Sequence, residues 1–265
     1  MVLVSAHRGG AGDDHSSENT LAAFESAIAL GCDYVEFDVR LTADGTAVIF
    51  HDDEVDDGTA SRSIAGHRLD EFTGVVLVTL DEVLDLIRGR VKAHVDLKVR
   101  GREVEVVGHI VDALGVDDVI ITTAEDSSVR RLIAWSREHS PGLLVGLSSS
   151  PRSWDGRPWR RRLVRLESAF PRTRVWLSRA NLVVSHKVLA RWWLRGYARR
   201  RGLPLLVWTV DRPAELERWM NDPDVWIVTT NYPERALAAA SPGPGGGTLR
   251  PGSDRSRRRG RRPHD

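Results

Sequence analysis

The segment VEFDVRLTADGTAVIFHD, residues 35–52, carries the pattern that decides the fold of this chain. Over residues 35–42, apolar and polar side chains alternate, which predicts a strand with one apolar and one polar face. A second apolar run covers residues 47–50. Asp44-Gly45 lies between the two runs and predicts a β-hairpin with a two-residue type I′ turn, in which both central residues need a positive φ.

The polar face of this hairpin carries groups that are suited to chemistry. A two-residue turn would pair Asp38 with His51 and would place Glu36 diagonally behind them. Two carboxylates at this spacing can hold a divalent cation through oxygen ligands, and a neighbouring imidazole is free to move protons. A solvated strand face with ordinary charges is the other interpretation, so the choice depends on the rest of the chain.

Strand-like and helix-like patterns alternate along residues 1–240. Besides the hairpin, apolar runs predict strands at Val2–His7, Ala93–Val99, Val119–Thr123, Leu143–Leu147, Leu182–Ser185, Leu205–Val210 and Val225–Thr229. Helical periodicity predicts helices at Asn19–Leu30, Thr79–Ile87, Arg102–Leu114, Ser127–His139, Val188–Arg201 and Ala214–Met220. Residues 53–78 are rich in Asp, Gly, Ser and Thr and predict a long loop. The alternation predicts right-handed βαβ units and a parallel sheet.

The predicted strands end in polar residues, such as His7-Arg8, Asp96-Leu97-Lys98 and Trp208-Thr209. Polar groups at the carboxyl ends of many strands favour a (β/α)8 TIM barrel, since its active site is built at that face. A doubly wound sheet would more often carry a G-x-G-x-x-G turn, and the glycines after His7 lack that spacing. We therefore predict an α/β fold with a (β/α)8 barrel over residues 1–240.

Length and composition narrow the class of protein. The chain has 265 residues and 41% hydrophobic content, enough for one domain with a sizeable core. Cys32 is the single cysteine, which excludes an intrachain disulfide and suits a reducing compartment. No secretory pattern precedes the first strand and no apolar run is long enough to span a membrane, so we expect a cytoplasmic protein. The Pro-, Gly- and Arg-rich residues 241–265 predict a disordered basic tail.

Charge is segregated along the chain. The formal net charge is +1, yet residues 151–201 carry 14 arginines and one lysine against two acidic residues. Five tryptophans are interleaved with these cations, which favours an anionic membrane surface as a partner and a peripheral position at the inner membrane. A soluble pair of helices with exposed arginines is the alternative. No nucleic-acid partner is expected, because no nucleic-acid-binding motif accompanies the charge.

Three ordered blocks of the sequence resemble a known enzyme family. The blocks are His7-Arg8-Gly9, Glu18-Asn19-Thr20, and the hairpin with Glu36-x-Asp38 and His51-Asp52. They resemble the pattern of the glycerophosphodiester phosphodiesterases, and the resemblance extends over about residues 1–240. It implies a TIM barrel of the phospholipase-C-like phosphodiesterase type. It also implies one divalent cation, Mg²⁺ or Ca²⁺, and two histidines that act as acid and base on a phosphodiester.

The resemblance assigns a role to each matching residue. It implies an acid–base pair, three metal ligands and two phosphate contacts, which are His7 and His51, then Glu36, Asp38 and Asp96, then Arg8 and Lys98. General chemistry agrees with this set, because a phosphodiester anion needs cations on its oxygens and groups that move protons to and from the reacting oxygens.

Four positions depart from the family or stay open. Asp96 stands where the family usually has Glu and is one methylene shorter, so the ion must lie closer to that strand or be bridged by water. Trp208 is either part of the core or a wall against the glycerol or choline end of the substrate. Asp211 replaces a usual Asn and Asn231 a usual Asp, which leaves recognition of the glycerol end open.

The sequence leaves three functions in contention. The first is metal-dependent hydrolysis of glycerophosphodiesters to glycerol 3-phosphate and an alcohol. The second is a lysophospholipase D that acts on lysophospholipids at a membrane surface, which Asp96 and the Trp/Arg segment favour. The third is a non-catalytic barrel that binds phosphate esters, and the presence of both histidines and Lys98 argues against it.

Overall fold

A computed structural model describes residues 1–56, 58, 60–149 and 170–240. Its strands, in chain order, are β1 (Leu3–Ala6), β2 (Tyr34–Leu41), β3 (Ala47–Ile49), β4 (Glu54–Asp56), β5 (Ser61–Ser63), β6 (Val78–Thr79), β7 (Lys92–Leu97), β8 (Val119–Thr123), β9 (Leu144–Ser149), β10 (Leu182–His186), β11 (Leu205–Trp208) and β12 (Ile227–Thr230). Its α-helices are α1 (Leu21–Leu30), α2 (Leu80–Ile87), α3 (Glu103–Leu114), α4 (Asp126–His139), α5 (Pro171–Ser178), α6 (Lys187–Leu189), α7 (Arg195–Arg201), α8 (Pro213–Met220) and α9 (Pro233–Ala239). A π-helical segment, Ala190–Leu194, joins α6 to α7.

Parallel strands close into a barrel. Within the described residues, eight strands follow each other around it in the order β1, β12, β11, β10, β9, β8, β7 and β2. Parallel pairing of Ser5 with Tyr34 and of Ala6 with Val35 joins β1 to β2 and completes the circle. The predicted (β/α)8 barrel is confirmed.

Alternation along the strands divides the apolar side chains between two cores. One side of each strand packs against the helices, and Phe37, Val95 and Ile121 belong to this outer core. The other side fills the barrel with a cluster made of Tyr34, Ile120, Leu182, Val184, Leu206 and Ile227. Because side chains alternate with a period of two, Glu36 and Asp38 share the inner side with Tyr34.

A buried polar layer lies inside the barrel. His94 Nδ1 is 3.0 Å from Ser5 Oγ, and His94 Nε2 is 3.3 Å from Thr122 Oγ1. Burial lowers the pKa of His94 to about 3, so this imidazole stays neutral across the physiological range. His94 therefore bonds the inner faces of β1, β7 and β8 to one another.

The hairpin after β2 forms, but the predicted register is wrong by one residue. Val39 pairs with Ile49 and Leu41 with Ala47, so Asp38 is not paired with His51. The turn is longer than predicted. The Thr42 backbone N–H donates to the Thr46 carbonyl at 3.0 Å, and three residues lie between these two. Gly45 adopts φ +85° and Asp44 is not among the residues with positive φ, which suits a three-residue loop rather than type I′.

Two further segments differ from their predictions. The first helix begins at Leu21 rather than at Asn19, because Thr20 caps it by accepting a hydrogen bond from the Ala23 N–H at 3.2 Å. The predicted loop at 53–78 contains β4, β5 and β6 and buries a small apolar cluster made of Val48, Val55, Ile64, Phe72 and Leu77. These apolar residues are too widely spaced to give a periodic signal.

Two predicted features fall wholly or partly outside the described residues. They are the basic tail at 241–265 and the first part of the basic segment, residues 151–169. None of the helices in the described ranges has the length and apolar content that crossing a membrane requires.

Gly146 is a sensitive position of the barrel interior. A Cβ atom at Gly146 would lie 2.2 Å from Val184 Cγ2, so we expect Gly146→Ala to lower the free energy of unfolding by about 1–3 kcal/mol through overpacking. Urea denaturation measures this loss.

Gly108 in α3 provides the matched control for Gly146. A Cβ there would be 3.7 Å from Trp135 Cζ2, an ordinary contact, so Gly108→Ala should stabilise the helix by about 0.5–1 kcal/mol. Equal stability of Gly146→Ala and the wild type would contradict the packing of the barrel interior.

Candidate active site

Three carboxylates meet at the carboxyl ends of β2 and β7. Parallel pairing puts Asp38 beside Asp96, and Glu36 lies one inward position earlier on β2. One oxygen from each of Glu36, Asp38 and Asp96 lies within 4.8 Å of the other two. Glu36 and Asp38 are 4% and 1% exposed, so these negative charges are held almost out of water. The three residues that the family resemblance implies as metal ligands therefore lie together in the structure.

Two cations and one amide offset the negative charge. Lys98 Nζ lies 2.5 Å from Asp96 Oδ2 and 3.2 Å from Asp38 Oδ1. Arg8 Nε lies 3.3 Å from the other oxygen of Asp38, Oδ2, which also accepts a hydrogen bond from Asn19 Nδ2 at 3.1 Å. Asp38 is therefore surrounded by positive charge and donors.

The environments of Glu36 and Asp38 shift the pKa values of these two carboxyls in opposite directions. Burial and the charges of Asp38 and Asp96 raise the pKa of Glu36 well above its ordinary value, despite a 2.8 Å hydrogen bond from the Arg8 backbone N–H. Burial also acts to raise the pKa of Asp38, but the charges of Lys98, His51 and Arg8 outweigh it and the pKa is lowered. Glu36 thus holds a proton more readily than Asp38.

His7 lies beside Glu36 in the turn that follows β1. His7 Nε2 is 3.9 Å from Glu36 Oε2, and His7 Nδ1 is 2.7 Å from Asn231 Oδ1. Burial and the neighbouring Arg8 charge lower the pKa of His7, so its imidazole is neutral near pH 7.

The turn that carries His7 depends on left-handed backbone. Arg8 has φ +50° and Gly9 has φ +86°. A Cβ atom at Gly9 would lie 2.6 Å from the Ala23 Cβ, so only glycine fits against α1. The Arg8 side chain is held at its far end by Glu18, whose Oε2 is 2.6 Å from Arg8 Nη1.

His51 and Trp208 make their described hydrogen-bond and ring contacts outside the carboxylate cluster, although the His51 charge acts on Asp38. The His51 side chain is 43% exposed, and its Nδ1 is 2.7 Å from Asp52 Oδ1. Arg40 holds the His51 carbonyl through Nε at 3.1 Å and Nη2 at 2.7 Å. The Trp208 ring meets the His186 ring edge-on at 5.9 Å, beside the apolar cluster inside the barrel.

The donor set fits a hard divalent cation. Ca²⁺ takes carboxylate oxygens at about 2.3–2.6 Å, so two ligands on opposite sides of one ion can be about 5 Å apart, and the described separations fall inside that limit. The shorter side chain of Asp96 therefore still reaches the other two carboxylates. Buried like charges with oxygen donors are the composition expected of such a site.

Comparison with known proteins gives the family. The model of the glycerophosphoryl diester phosphodiesterase family matches residues 7–141. The chain belongs to this family. It is therefore a phosphodiesterase, as its sequence predicts, and a non-catalytic barrel has no support. A glycerophosphodiester phosphodiesterase from Caldanaerobacter subterraneus is 30% identical over 89% of this chain and 96% of that protein.

Two other relatives are informative. The structure of an Oleispira antarctica phosphodiesterase in complex with the product sn-glycerol-3-phosphate superposes with a TM-score of 0.66, at 20% identity over 89% of this chain and 96% of that chain. A mouse lysophospholipase D is 45% identical over a short stretch that covers 19% of this chain and 15% of that protein. The first shares the fold, and the second shares a local segment.

Sequence reasoning gave no catalytic role to four residues that shape the site. Asn19 adopts φ +58° and holds Asp38, Glu18 holds Arg8, and Asp211 and Asn231 form a hydrogen-bonded pair behind His7. A signal exists for Asn19, because asparagine before a helix cap often adopts left-handed backbone. The Glu18–Arg8 contact spans 10 residues, whereas the contact of Asn231 with His7 spans 224 residues and carries no local signal.

Glu36 should destabilise the metal-free protein at high pH. The pKa of Glu36 is higher in the folded than in the unfolded chain. The free energy of unfolding therefore falls as the pH rises from about 4.5 through the raised pKa. The loss is about 1.4 kcal/mol for each unit by which folding raises the pKa. In EDTA, we expect Glu36→Gln to be more stable than the wild type at pH 8 and to lose this advantage near pH 4. Urea denaturation at both pH values measures the difference.

Glu103 is a buried glutamate whose pKa is shifted in the opposite direction to that of Glu36. Burial acts to raise its pKa, but hydrogen bonds from Ser128 and backbone groups and the ion pair with Arg131 lower it overall. Glu103→Gln should therefore destabilise the protein at pH 8. Destabilisation by both substitutions at pH 8 would contradict the raised pKa of Glu36.

Proposed function

We propose that this protein hydrolyses glycerophosphodiesters to glycerol 3-phosphate and an alcohol, with a divalent cation and with His7 and His51 as the acid–base pair. The observation that carries the proposal is the convergence of Glu36, Asp38 and Asp96 within 4.8 Å of one another beside the His7 imidazole. Family membership supports the reaction class. The barrel mouth supports the location, because active sites of this fold lie there.

Glu36, Asp38 and Asp96 would hold the cation, Mg²⁺ or Ca²⁺. When bound, the cation would neutralise charge that develops on the phosphate oxygens. Lys98 would contact the phosphate as well, and this is supported by its ammonium having three donors, of which two face Asp96 and Asp38. Arg8 would contribute its positive charge at the same side of the cluster.

The two histidines have environments that suit different proton transfers. His7 is buried and neutral, so its free nitrogen can take a proton from the attacking nucleophile. His51 is half exposed and is held by Asp52, and it would give a proton to the departing alkoxide. The negative charge of Asp38 acts on the His7 imidazole and would favour its protonated form as the reaction proceeds.

The test is a product assay on glycerophosphocholine. We expect glycerol 3-phosphate and choline as products, loss of activity in EDTA and recovery with Mg²⁺ or Ca²⁺. His7→Gln and His51→Gln should each lower kcat by about 10²–10⁴-fold, because each removes a proton transfer. Coupled assays for both products measure these effects.

His109 supplies the control for the histidine variants. It is exposed on α3 and its Nε2 pairs with Asp81 at 2.6 Å, so His109→Gln should keep the wild-type kcat. Near-normal turnover of either catalytic variant, or full activity in EDTA, would exclude the proposed mechanism.

A lysophospholipase D that works at a membrane surface is the second candidate. It is favoured by exposed apolar and aromatic residues on α5, α6, the π-helical segment and the position just before α5. We define this aromatic surface by Phe170, Trp176, Leu177, Val188, Trp192 and Trp193. Arginines pack on it, with the Arg172 guanidinium 5.4 Å from the Trp193 ring and the Arg191 guanidinium 5.2 Å from the Trp192 ring. Exposed tryptophan with arginine suits an anionic lipid interface.

Ion pairs reduce the self-repulsion expected from the basic segment. Arg174 pairs with Asp126, Lys187 with Glu215, and Arg195 with Asp222 and Asp224. Part of the positive charge of residues 170–201 is therefore neutralised by neighbouring elements. The arginines that pack on the aromatic surface are the ones that the membrane proposal uses.

Vesicle co-sedimentation tests the membrane proposal. We expect a chain that ends at Ala240 to bind phosphatidylglycerol vesicles at low salt and to release them at high salt, because the attraction is screened. The double substitution Trp192→Ala and Trp193→Ala should weaken binding about tenfold or more through loss of apolar burial.

Leu30→Ala and Val76→Ala are the controls, since they remove exposed apolar side chains elsewhere on the chain. Equal binding to phosphatidylcholine vesicles, or none to either kind, would reject an anionic membrane partner. Faster release of choline from lysophosphatidylcholine than from glycerophosphocholine would favour the second candidate.

A further inference from the structure

Three side chains form a hydrogen-bonded chain behind the active site. Asp211 Oδ2 accepts a hydrogen bond from Asn231 Nδ2 at 3.1 Å, and Asn231 Oδ1 lies 2.7 Å from His7 Nδ1. The other oxygen of Asp211, Oδ1, accepts from the Asn231 backbone N–H at 2.9 Å and from the Thr230 hydroxyl at 3.2 Å. The Gly12 N–H fixes the Asn231 carbonyl at 2.9 Å, so the loops after β1 and β12 hold this chain together.

The chemistry of Asp211 fixes the donor-to-acceptor direction of every hydrogen bond in this series of three side chains. An ionised carboxylate only accepts hydrogen bonds, so the Asn231 amide must turn its NH₂ group toward Asp211. Its oxygen must then face His7, and an amide oxygen also only accepts. His7 Nδ1 must therefore carry the proton, and His7 Nε2 is left with a free lone pair.

The free nitrogen of His7 is the one that faces the carboxylate cluster. Nε2 lies 3.9 Å from Glu36 Oε2, whereas Nδ1 points away from the cluster to Asn231. The opposite tautomer would place a hydrogen on Nε2 and would leave no lone pair there to take a proton. Selecting one tautomer therefore decides whether His7 can act as a base.

We propose that Asp211 is a positioning residue that, through Asn231, holds His7 in the Nδ1–H tautomer needed for catalysis. The proposal rests on the proposed role of His7 as a base. It also assigns a task to Asp211 and Asn231, which stand where the family usually has Asn and Asp. Here the amide of Asn231 lies between the Asp211 carboxylate and the His7 imidazole, and it presents a hydrogen-bond acceptor to His7.

Asp211→Asn should reverse the direction of the chain. The Oδ1 of the new amide would keep the two donors, the Asn231 N–H and the Thr230 hydroxyl, so its NH₂ group would face the Asn231 side chain. Asn231 would then turn its oxygen toward residue 211 and its NH₂ toward His7 Nδ1. His7 would be driven to the Nε2–H tautomer, with kcat lowered about 10–100-fold and KM within about twofold of the wild type.

The double substitution Asp211→Asn and Asn231→Asp should rescue this loss. The carboxylate at position 231 would accept the Nδ1 proton of His7, and the amide at position 211 would donate to that carboxylate. Asn231→Asp alone should keep the Nδ1–H tautomer, although it brings two carboxylates together where the amide and carboxylate now lie 3.1 Å apart. Rescue by the double variant separates the tautomer effect from simple loss of a hydrogen bond.

Asp224→Asn is the control for removal of a half-buried carboxylate near the same strand. Asp224 precedes β12 and pairs with Arg195 at 2.9 Å. It lies before the strand whose far end carries Asn231, so this variant should keep the wild-type kcat and the wild-type His7 signal.

The tautomer is measured by ¹⁵N NMR of histidine-labelled full-length protein at pH 8 with Mg²⁺, with the His7 signal assigned by its loss in His7→Gln. The expected result is Nδ1–H in the wild type, Nε2–H in Asp211→Asn and Nδ1–H again in the double variant, with kcat following the same order. An unchanged His7 tautomer in Asp211→Asn would overturn the positioning role. An inverted tautomer with unchanged kcat would instead overturn the role of His7 as a base.

Discussion

Repulsion among three carboxylates at the barrel mouth is the constraint on which the rest of the site depends. Glu36, Asp38 and Asp96 lie within 4.8 Å of one another, and two of them are almost fully buried. Charges held this closely away from water need cations or donors as partners. Arg8, carried by a left-handed turn, and Lys98 supply positive charge beside Asp38 and reduce that repulsion.

Most of the fold follows from short-range patterns in the sequence. Apolar alternation and the polar ends of the strands predict the barrel, since both are set by which face of a strand is buried. The register of the hairpin does not follow from these short-range patterns. A slip of one residue depends on whether Asp44 joins Gly45 at positive φ, and Asp-Gly permits either outcome.

The residues of the candidate site likewise fall into those that the sequence identifies and those that only the structure identifies. The carboxylates, His7 and Lys98 belong to contiguous blocks with a family pattern, so they can be identified in order along the chain. The support behind His7 cannot be identified in this way. Asn231 lies 224 residues from His7, and their contact exists only because pairing of β1 with β12 brings the first and last loops together.

Lys98 links the stability of the site to its proposed chemistry. Its Nζ lies at 2.5 and 3.2 Å from oxygens of Asp96 and Asp38, two of the three carboxylates that would hold the cation. The ammonium and a divalent cation would therefore compete for the negative charge of the same pair. Lys98 offsets the negative charge of this pair at the barrel mouth, and a bound cation would take over that task and would leave the Lys98 donors available to a phosphate. Replacing Glu by the shorter Asp96 suits this exchange, because Lys98 follows two residues later on the same strand end and reaches the shorter carboxylate directly.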